Sequence, residues 1–189
     1  RPESRVWALG LGYAQQSRAN VSPRTSSREK DMAVFYSFHY DRDVHRVQLI
    51  EQMGALEGQP ILNHQEWETV KSGGDKAIKE WISDKMKWKS AVIVLIGKET
   101  ASREWVHYEI QKAWDDKKPL LGIRIHGLSS MGSVDSSGPN PFDKISSVSG
   151  VPIFDPTQTD WTGKIDSKAT YNYLKDHLTT WATRGKTRL

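Results

Sequence analysis

Glu109 is the residue whose type and spacing are best suited to chemistry. It stands in the run Arg103-Glu104-Trp105-Val106-His107-Tyr108-Glu109-Ile110, where apolar residues recur at helical spacing: Trp105, Val106, Ile110, Ala113 and Trp114. Trp105 lies one turn before it and Ala113 one turn after, so the carboxylate shares or borders the apolar stripe of a helix. Loss of hydration there is unfavourable unless the group is paired or has a function. A perturbed acid in such a place is a candidate functional residue. A second reading stands beside this one: Glu109 at the edge of the stripe, its head in water or paired with Lys112 or Arg103, because structural networks perturb acids as well.

Other chemistries are poorly supplied. The chain has no Cys, which excludes disulfides and thiolate nucleophiles. Its six His show no metal-ligand spacing, so no metal is expected. No Gly-x-Ser-x-Gly element argues for a serine hydrolase. Gly73-Gly74 reads as a backbone device before a helix, since no P-loop Lys-Ser/Thr follows. Gly10-Leu-Gly12 precedes the first strand and is not a dinucleotide fingerprint.

The chain that must position Glu109 has 189 residues, enough for one domain with a core. Eight Trp, several on predicted helices, make much of that core aromatic. The pI near 9.2 invites a nucleic-acid reading. The charge is badly placed for one: residues 1–31 carry a net +3, residues 184–189 another +3, and the stretch between them is near −2. Basic tails bind polyanions without specificity, so no specific nucleic-acid partner is expected. No apolar run approaches the ~20 residues that span a membrane, and no signal-peptide pattern is visible, so a cytoplasmic, membrane-free protein is expected. Three segments follow. Residues 1–31, rich in Arg and Ser, read as a flexible upstream extension or appended leader; residues 32–183 read as the folded domain; residues 184–189 read as a basic tail.

Within 32–183 the pattern alternates between strand and helix. Ala33–Phe38 reads as a buried strand, and Asp43–Met53 as a helix with Val44, Val47, Ile50 and Met53 inward and Gly54 as its stop. Pro60-Ile61-Leu62 reads as a short second strand and Asn63–Gly74 as a polar loop. Asp75–Lys87 is a helix with Ile78, Trp81, Ile82 and Met86 on one face. Ser90–Ile96 is a central strand, apolar throughout, as expected when both faces are covered. Ser102 is placed to cap the next helix, which runs to about Asp116. Pro119–Ile125 is a fourth strand, a loop from His126 to Gly150 follows, and Val151–Phe154 is a fifth strand kept to an edge by Pro152. Ser167–Thr183 is the last helix, with Tyr171, Leu174, Leu178 and Trp181 in period.

Alternation of this kind predicts an α/β, flavodoxin-like doubly wound sheet of about five mostly parallel strands with helices on both faces. Ligands of such sheets bind outside the carboxyl ends of the strands. Those ends are Phe38–Tyr40, Asn63–Trp67 and Gly97–Ser102, and Glu109 lies near that crevice.

The ordered set Ala33–Phe38, Gly73-Gly74 before a helix, Ala91–Ile96 and Trp105-Val-His-Tyr-Glu-Ile110 resembles a TIR domain. Trp-x-x-x-Glu-[Ile/Leu] is the element in which catalytic TIR domains carry their essential glutamate. Phe35–Tyr40, Trp67-Glu-x-Val70, Leu95-Ile-Gly-Lys-Glu-Thr100 and Asn140-Pro-Phe-Asp143 make the chain more similar to the TIR-like branch of bacterial Thoeris anti-phage proteins. The resemblance covers roughly 32–183. It departs from the pattern at His39-Tyr40, where many NAD-cleaving relatives have basic residues, and at Asn63-His64, where other TIR loops have Asp.

The resemblance implies an enzyme that cleaves the nicotinamide–ribose bond of NAD and makes a cyclised ADP-ribose signal for a separate effector protein. NAD is then a substrate, and no bound cofactor is implied. It also implies a homo-oligomer, since TIR relatives often assemble before acting. Glu109 would be the catalytic carboxylate. Phe38, Tyr40, Trp67 and Trp105 would stack on nicotinamide or adenine, and His39 and Arg46 would meet phosphates if they face the crevice; Asn63 is a further substrate-binding candidate. Each has a structural alternative: core packing for Trp67 and Trp105, a solvated turn for His39-Tyr40. A non-catalytic TIR-like scaffold acting by self-association is the competing function, and it requires Glu109 to be salt-bridged or solvated with no crevice beside it. A receiver domain would need an Asp where the chain has Leu95-Ile96-Gly97-Lys98. A nucleoside deoxyribosyltransferase would also use a buried Glu on an N-glycosidic bond.

Overall fold

The computed structural model describes residues 32–189. Residues 1–31, expected to form an extension, lie outside the described residues. Strands β1 (Val34–Ser37), β2 (Ala91–Ile96), β3 (Leu120–Arg124) and β4 (Ile153–Phe154) form one sheet in the order β1-β2-β3-β4. All three pairings are parallel; Val34 lies opposite Ala91, and Val92 opposite Leu120. Helices α1 (Tyr40–Gln52), α2 (His64–Ser72), α3 (Gly74–Met86), α4 (Glu104–Asp115) and α5 (Ser167–Ala182) complete the layers.

The period of two along the strands sorts the core into two halves. Val34, Tyr36, Ile93 and Leu95 pack against Val47 and Ile50 of α1 and Leu174 and Leu178 of α5. Phe35, Val92, Val94 and Ile96 face the other way, onto Ile78, Ile82 and Met86 of α3 and Val106, Ile110 and Trp114 of α4. β2 is buried on both sides over its whole length, as its unbroken apolar run requires. Ser37 falls on the same side of β1 as Phe35, which turns it toward α4.

The expected second strand, Pro60–Leu62, does not form. Glu57 makes a single parallel bridge to Ala33, and the chain then runs beside β1 as coil. The Gln59 side chain takes the place of a strand backbone: Tyr36 donates its N–H to Gln59 Oε1 at 2.8 Å, and Gln59 Nε2 donates to the Tyr36 carbonyl at 2.7 Å. Pro60 has no N–H to continue a ladder. Counting this coil as the missing strand restores the flavodoxin-like order.

The predicted loop 63–74 is instead α2. Asn63 accepts a hydrogen bond from the Glu66 N–H, and the Glu66 carboxylate accepts from the Asn63 N–H, a reciprocal capping box. Ser102 does not cap α4. Its hydroxyl donates to the Glu99 carbonyl within a 3-10 turn, and Arg103 holds the cap position without a side-chain bond. β4 is an edge strand, as Pro152 requires. Residues 184–189 are not a free tail: Lys186 exchanges backbone hydrogen bonds with Leu120, and Arg188 pairs with Asp115 at 2.8 Å.

Candidate active site

A crevice of about 500 Å³ opens outside the carboxyl end of β1. Its walls come from the end of β1 and the start of α1, the 59–62 coil, α2, α3 and the first turns of α4. Glu109 lies in it. The glutamate is 9% exposed, and its Oε2 accepts a hydrogen bond from the Ser37 hydroxyl at 2.5 Å. Burial pushes its carboxyl up to about 8, against the opposing effect of the Ser37 bond.

Among the described residues no cation neutralises it. Lys112 pairs with Asp116 at 2.8 Å, and Arg103 leans toward Asp41 at 3.8 Å. The reading of Glu109 as a stripe-edge carboxylate paired to one of these is therefore overturned. The apolar residues of α4 explain its placement: Val106, Ile110 and Ala113 dock that helix on the sheet and carry Glu109 down onto β1.

Aromatic rings line much of the rest. The Phe38 and Tyr40 rings are 6.2 Å apart, Tyr40 and Trp67 6.0 Å, and Trp67 and Trp81 6.1 Å, giving a continuous run from β1 across α2 to α3. Tyr40 donates its hydroxyl to the Leu62 carbonyl, which ties α1 to the coil leading into α2. Trp105 lines the α4 side and meets Tyr108 edge-on at 5.8 Å. These rings are half-buried, so their faces serve packing and the crevice together.

His39 also lines the crevice and is 7% exposed. Its Nδ1 has no partner among the described residues, and its Nε2 lies 4.0 Å from Asp41. Burial first, and the nearby Arg103 charge second, hold its pKa below the ordinary value, which favours a neutral ring.

Two predicted residues are not in the site. Arg46 is 4% exposed and turned inward: it pairs with buried Asp43 at 3.0 Å and donates to the Leu128 and Ser133 carbonyls. It ties α1 to the 126–135 loop instead of facing a phosphate. The spacing from His39 placed it two turns into α1, and α1 turns that position toward the loop. Asn63 is exposed and does not line the crevice; its side chain is committed to the α2 cap. Phe38, His39, Tyr40, Trp67, Trp105 and Glu109 are brought together.

Sequence reasoning missed Ser37, Gln59, Lys71, Trp81 and, as a crevice residue, Arg103. Lys71 and Arg103 bring positive charge to the rim; Lys71 pairs with Glu68 and lies 5.9 Å from the Trp67 ring centroid. The Asn63-x-x-Glu66 capping box was the available signal for α2, and hence for Lys71. Nothing local announced Ser37. Among the described residues no cluster of His, Asp or Glu could hold a metal ion, and no helix is long and apolar enough to cross a membrane.

The family model for the TIR-like domain of Thoeris protein ThsB matches residues 35–130, which spans β1 through β3 and includes Glu109. A Bacillus cereus (strain MSX-D12) protein provisionally named cyclic ADP-D-ribose synthase ThsB1 is 34% identical over 120 residues. That match covers 58% of this chain and 60% of the relative, so the chain spans about three fifths of the relative's length.

Proposed function

Because the chain belongs to the Thoeris ThsB TIR-like family, we propose that it cleaves NAD at the nicotinamide–ribose bond and converts the ADP-ribosyl moiety into a cyclic signal. One observation carries this reading: Glu109 is a buried carboxylate with no cationic partner among the described residues, lying in an aromatic crevice at the carboxyl end of β1. A salt-bridged or solvated Glu109 would have favoured the scaffold reading.

The chemistry suits one acid. As the C1′–N bond breaks, its electron pair leaves with nicotinamide as a neutral base, so no general acid is needed for the leaving group. Positive charge gathers on the ribose, and an ionised Glu109 stabilises it at close range in a poorly hydrated site. A new bond then forms between C1′ and a nucleophile: an adenine nitrogen attacks through its lone pair, whereas a hydroxyl or water passes its proton to solvent. A held ribose hydroxyl or adenine nitrogen gives a cyclic product, and water gives ADP-ribose. The Tyr40–Trp67–Trp81 run supplies ring faces for one base, and Trp105 lies on the Glu109 side for the other. Lys71 and Arg103 at the rim suit the diphosphate between them.

In this reading the product diffuses in the cytoplasm to a separate effector, and the enzyme acts as a homo-oligomer. The name of the Bacillus cereus relative supports a cyclic product. The test is NAD turnover by concentrated purified protein, resolved by chromatography and mass spectrometry. Nicotinamide release by the wild type and its loss in Glu109→Gln is the expected result; product mass separates cyclase from hydrolase. NAD consumption unchanged in Glu109→Gln would overturn the assignment.

A further inference from the structure

Ser37 does not line the crevice, yet it is the residue that touches the carboxylate inside it. It is fully buried, comes from β1, and reaches Glu109 across 72 residues of sequence. Its hydroxyl makes no other hydrogen bond among the described residues. Glu109 Oε2 is taken by that hydroxyl, while Oε1 has no partner among the described residues and is not among the fully enclosed polar atoms. One oxygen is therefore held against the sheet and the other is left to the crevice.

The remaining polar groups around Glu109 do not share this task. Tyr36 of β1, His39 and Asp41 at the start of α1, Gln59 of the coil, Lys71 of α2, and Arg103 and Glu104 of α4 all line the same crevice. Gln59 is occupied with Tyr36, Arg103 with Asp41, and Lys71 with Glu68. None hydrogen-bonds or ion-pairs with Glu109, and α3 contributes only Trp81 to the lining. A buried carboxylate with a single donor depends on that donor for both rotamer and charge.

We propose that Ser37 is the positioning residue of the site, its hydroxyl fixing Glu109 so that an ionised oxygen faces the ribose. The proposal rests on the NAD-cleaving reading but is separable from it. A hydroxyl that only filled space would leave the ionisation of Glu109 untouched. A hydroxyl that donates to the charged form favours that form, so its removal moves ionisation to higher pH.

The experiment compares wild type, Ser37→Ala and Ser37→Cys, the last close to Ser in size but a weak donor. The acid limb of the pH profile of kcat/KM for NAD is measured, and the Glu109 carboxyl is titrated by carbon-13 NMR, which needs no turnover. Ser37→Ala should displace both to higher pH by about one unit, with Ser37→Cys moving in the same direction by less. If Ser37→Ala does not fold, Ser37→Cys alone decides the matter. Titrations that superimpose on wild type overturn the proposal. If Glu109→Gln still cleaves NAD, the functional reading falls instead, and the NMR titration still decides the role of Ser37.

Discussion

Gln59 completes the edge of β1 with its side chain, exchanging both hydrogen bonds of the Tyr36 backbone through one amide. Both partners are buried, at 2% and 1% exposure. Gln59 also lines the crevice, so the same residue seals the sheet and shapes the site. Removing the amide leaves a buried N–H and a buried C=O unpaired, each worth about 1–3 kcal/mol. Gln59→Ala should therefore destabilise the domain by about 2–5 kcal/mol in a urea titration. Gln59→Glu should be nearly as harmful at neutral pH, because a carboxylate accepts from Tyr36 N–H but offers no donor to its carbonyl. A Gln59→Glu midpoint equal to wild type would show that the coil pairs in some other way.

Glu109 makes stability depend on pH in an unusual direction. Its folded carboxyl titrates near 8, above its ordinary value of 4.5. Between those values the unfolded chain has lost the proton while the folded protein keeps it, so stability falls as pH rises across that window. Above about 8 the penalty is constant. Glu109→Gln removes it and should be more stable than wild type by a few kcal/mol at pH 8, with the difference vanishing toward pH 4. Melting temperatures of the two proteins across pH 4–9 check this; parallel curves would mean that Glu109 is not desolvated in solution.

Catalysis should run the other way. If the ionised form works, kcat/KM for NAD rises through about pH 8. Activity and stability then have opposed pH trends arising from one group. An acid limb near the ordinary carboxylate value would assign the limb to another residue.

Trp67 is held between Tyr40 and Trp81 on a helix that buries no residue fully. Its truncation should therefore spare the fold and weaken the ligand. Trp67→Ala is expected to raise KM for NAD by about 5–100-fold, the equivalent of losing one base stack, with a smaller change in kcat. Steady-state kinetics read this directly. An unchanged KM would move base recognition to the other rings of the crevice, Tyr40, Trp81 and Trp105.

Arg46 separates structure from recognition. It is buried against Asp43, and Asp43 Oδ2 already lacks a partner among the described residues. Arg46→Ala leaves that carboxylate uncompensated and should cost about 3–5 kcal/mol of stability. In protein that remains folded, KM for NAD should not change. A raised KM at wild-type stability would return Arg46 to the site.

Much of this architecture can be read from the sequence, for reasons tied to particular residues. Ala91–Ile96 is apolar without a break because both faces of β2 are covered, and Ile78, Ile82 and Met86 keep a helical period because α3 buries one stripe. Glu109 stood out because a charge sat among Trp105, Ile110 and Ala113. Legibility ends where burial stops leaving a pattern. α2 turns only the partly buried Trp67 and Val70 inward and buries no residue fully, so His64–Ser72 reads as a loop despite its capping box. The second strand failed because a Gln side chain did a backbone's work, which no periodicity encodes. Ser37 meets Glu109 only through the tertiary fold, and Arg46 and Asn63 were placed by proximity in sequence when their partners were Asp43 and Glu66.

The lack of any fully buried residue in α2 has a consequence for descent. One wall of the crevice, carrying Trp67 and Lys71, touches the core only through the partly buried Trp67 and Val70. Substitutions at its exposed positions are filtered more by what the crevice must recognise than by whether the chain folds. The floor, from Ser37 to Glu109, has no such freedom, since those residues are packed inside the domain. A lineage built on this plan would hold its bond-breaking group fixed while the wall diverged, acquiring new ligand preferences without passing through unfolded ancestors.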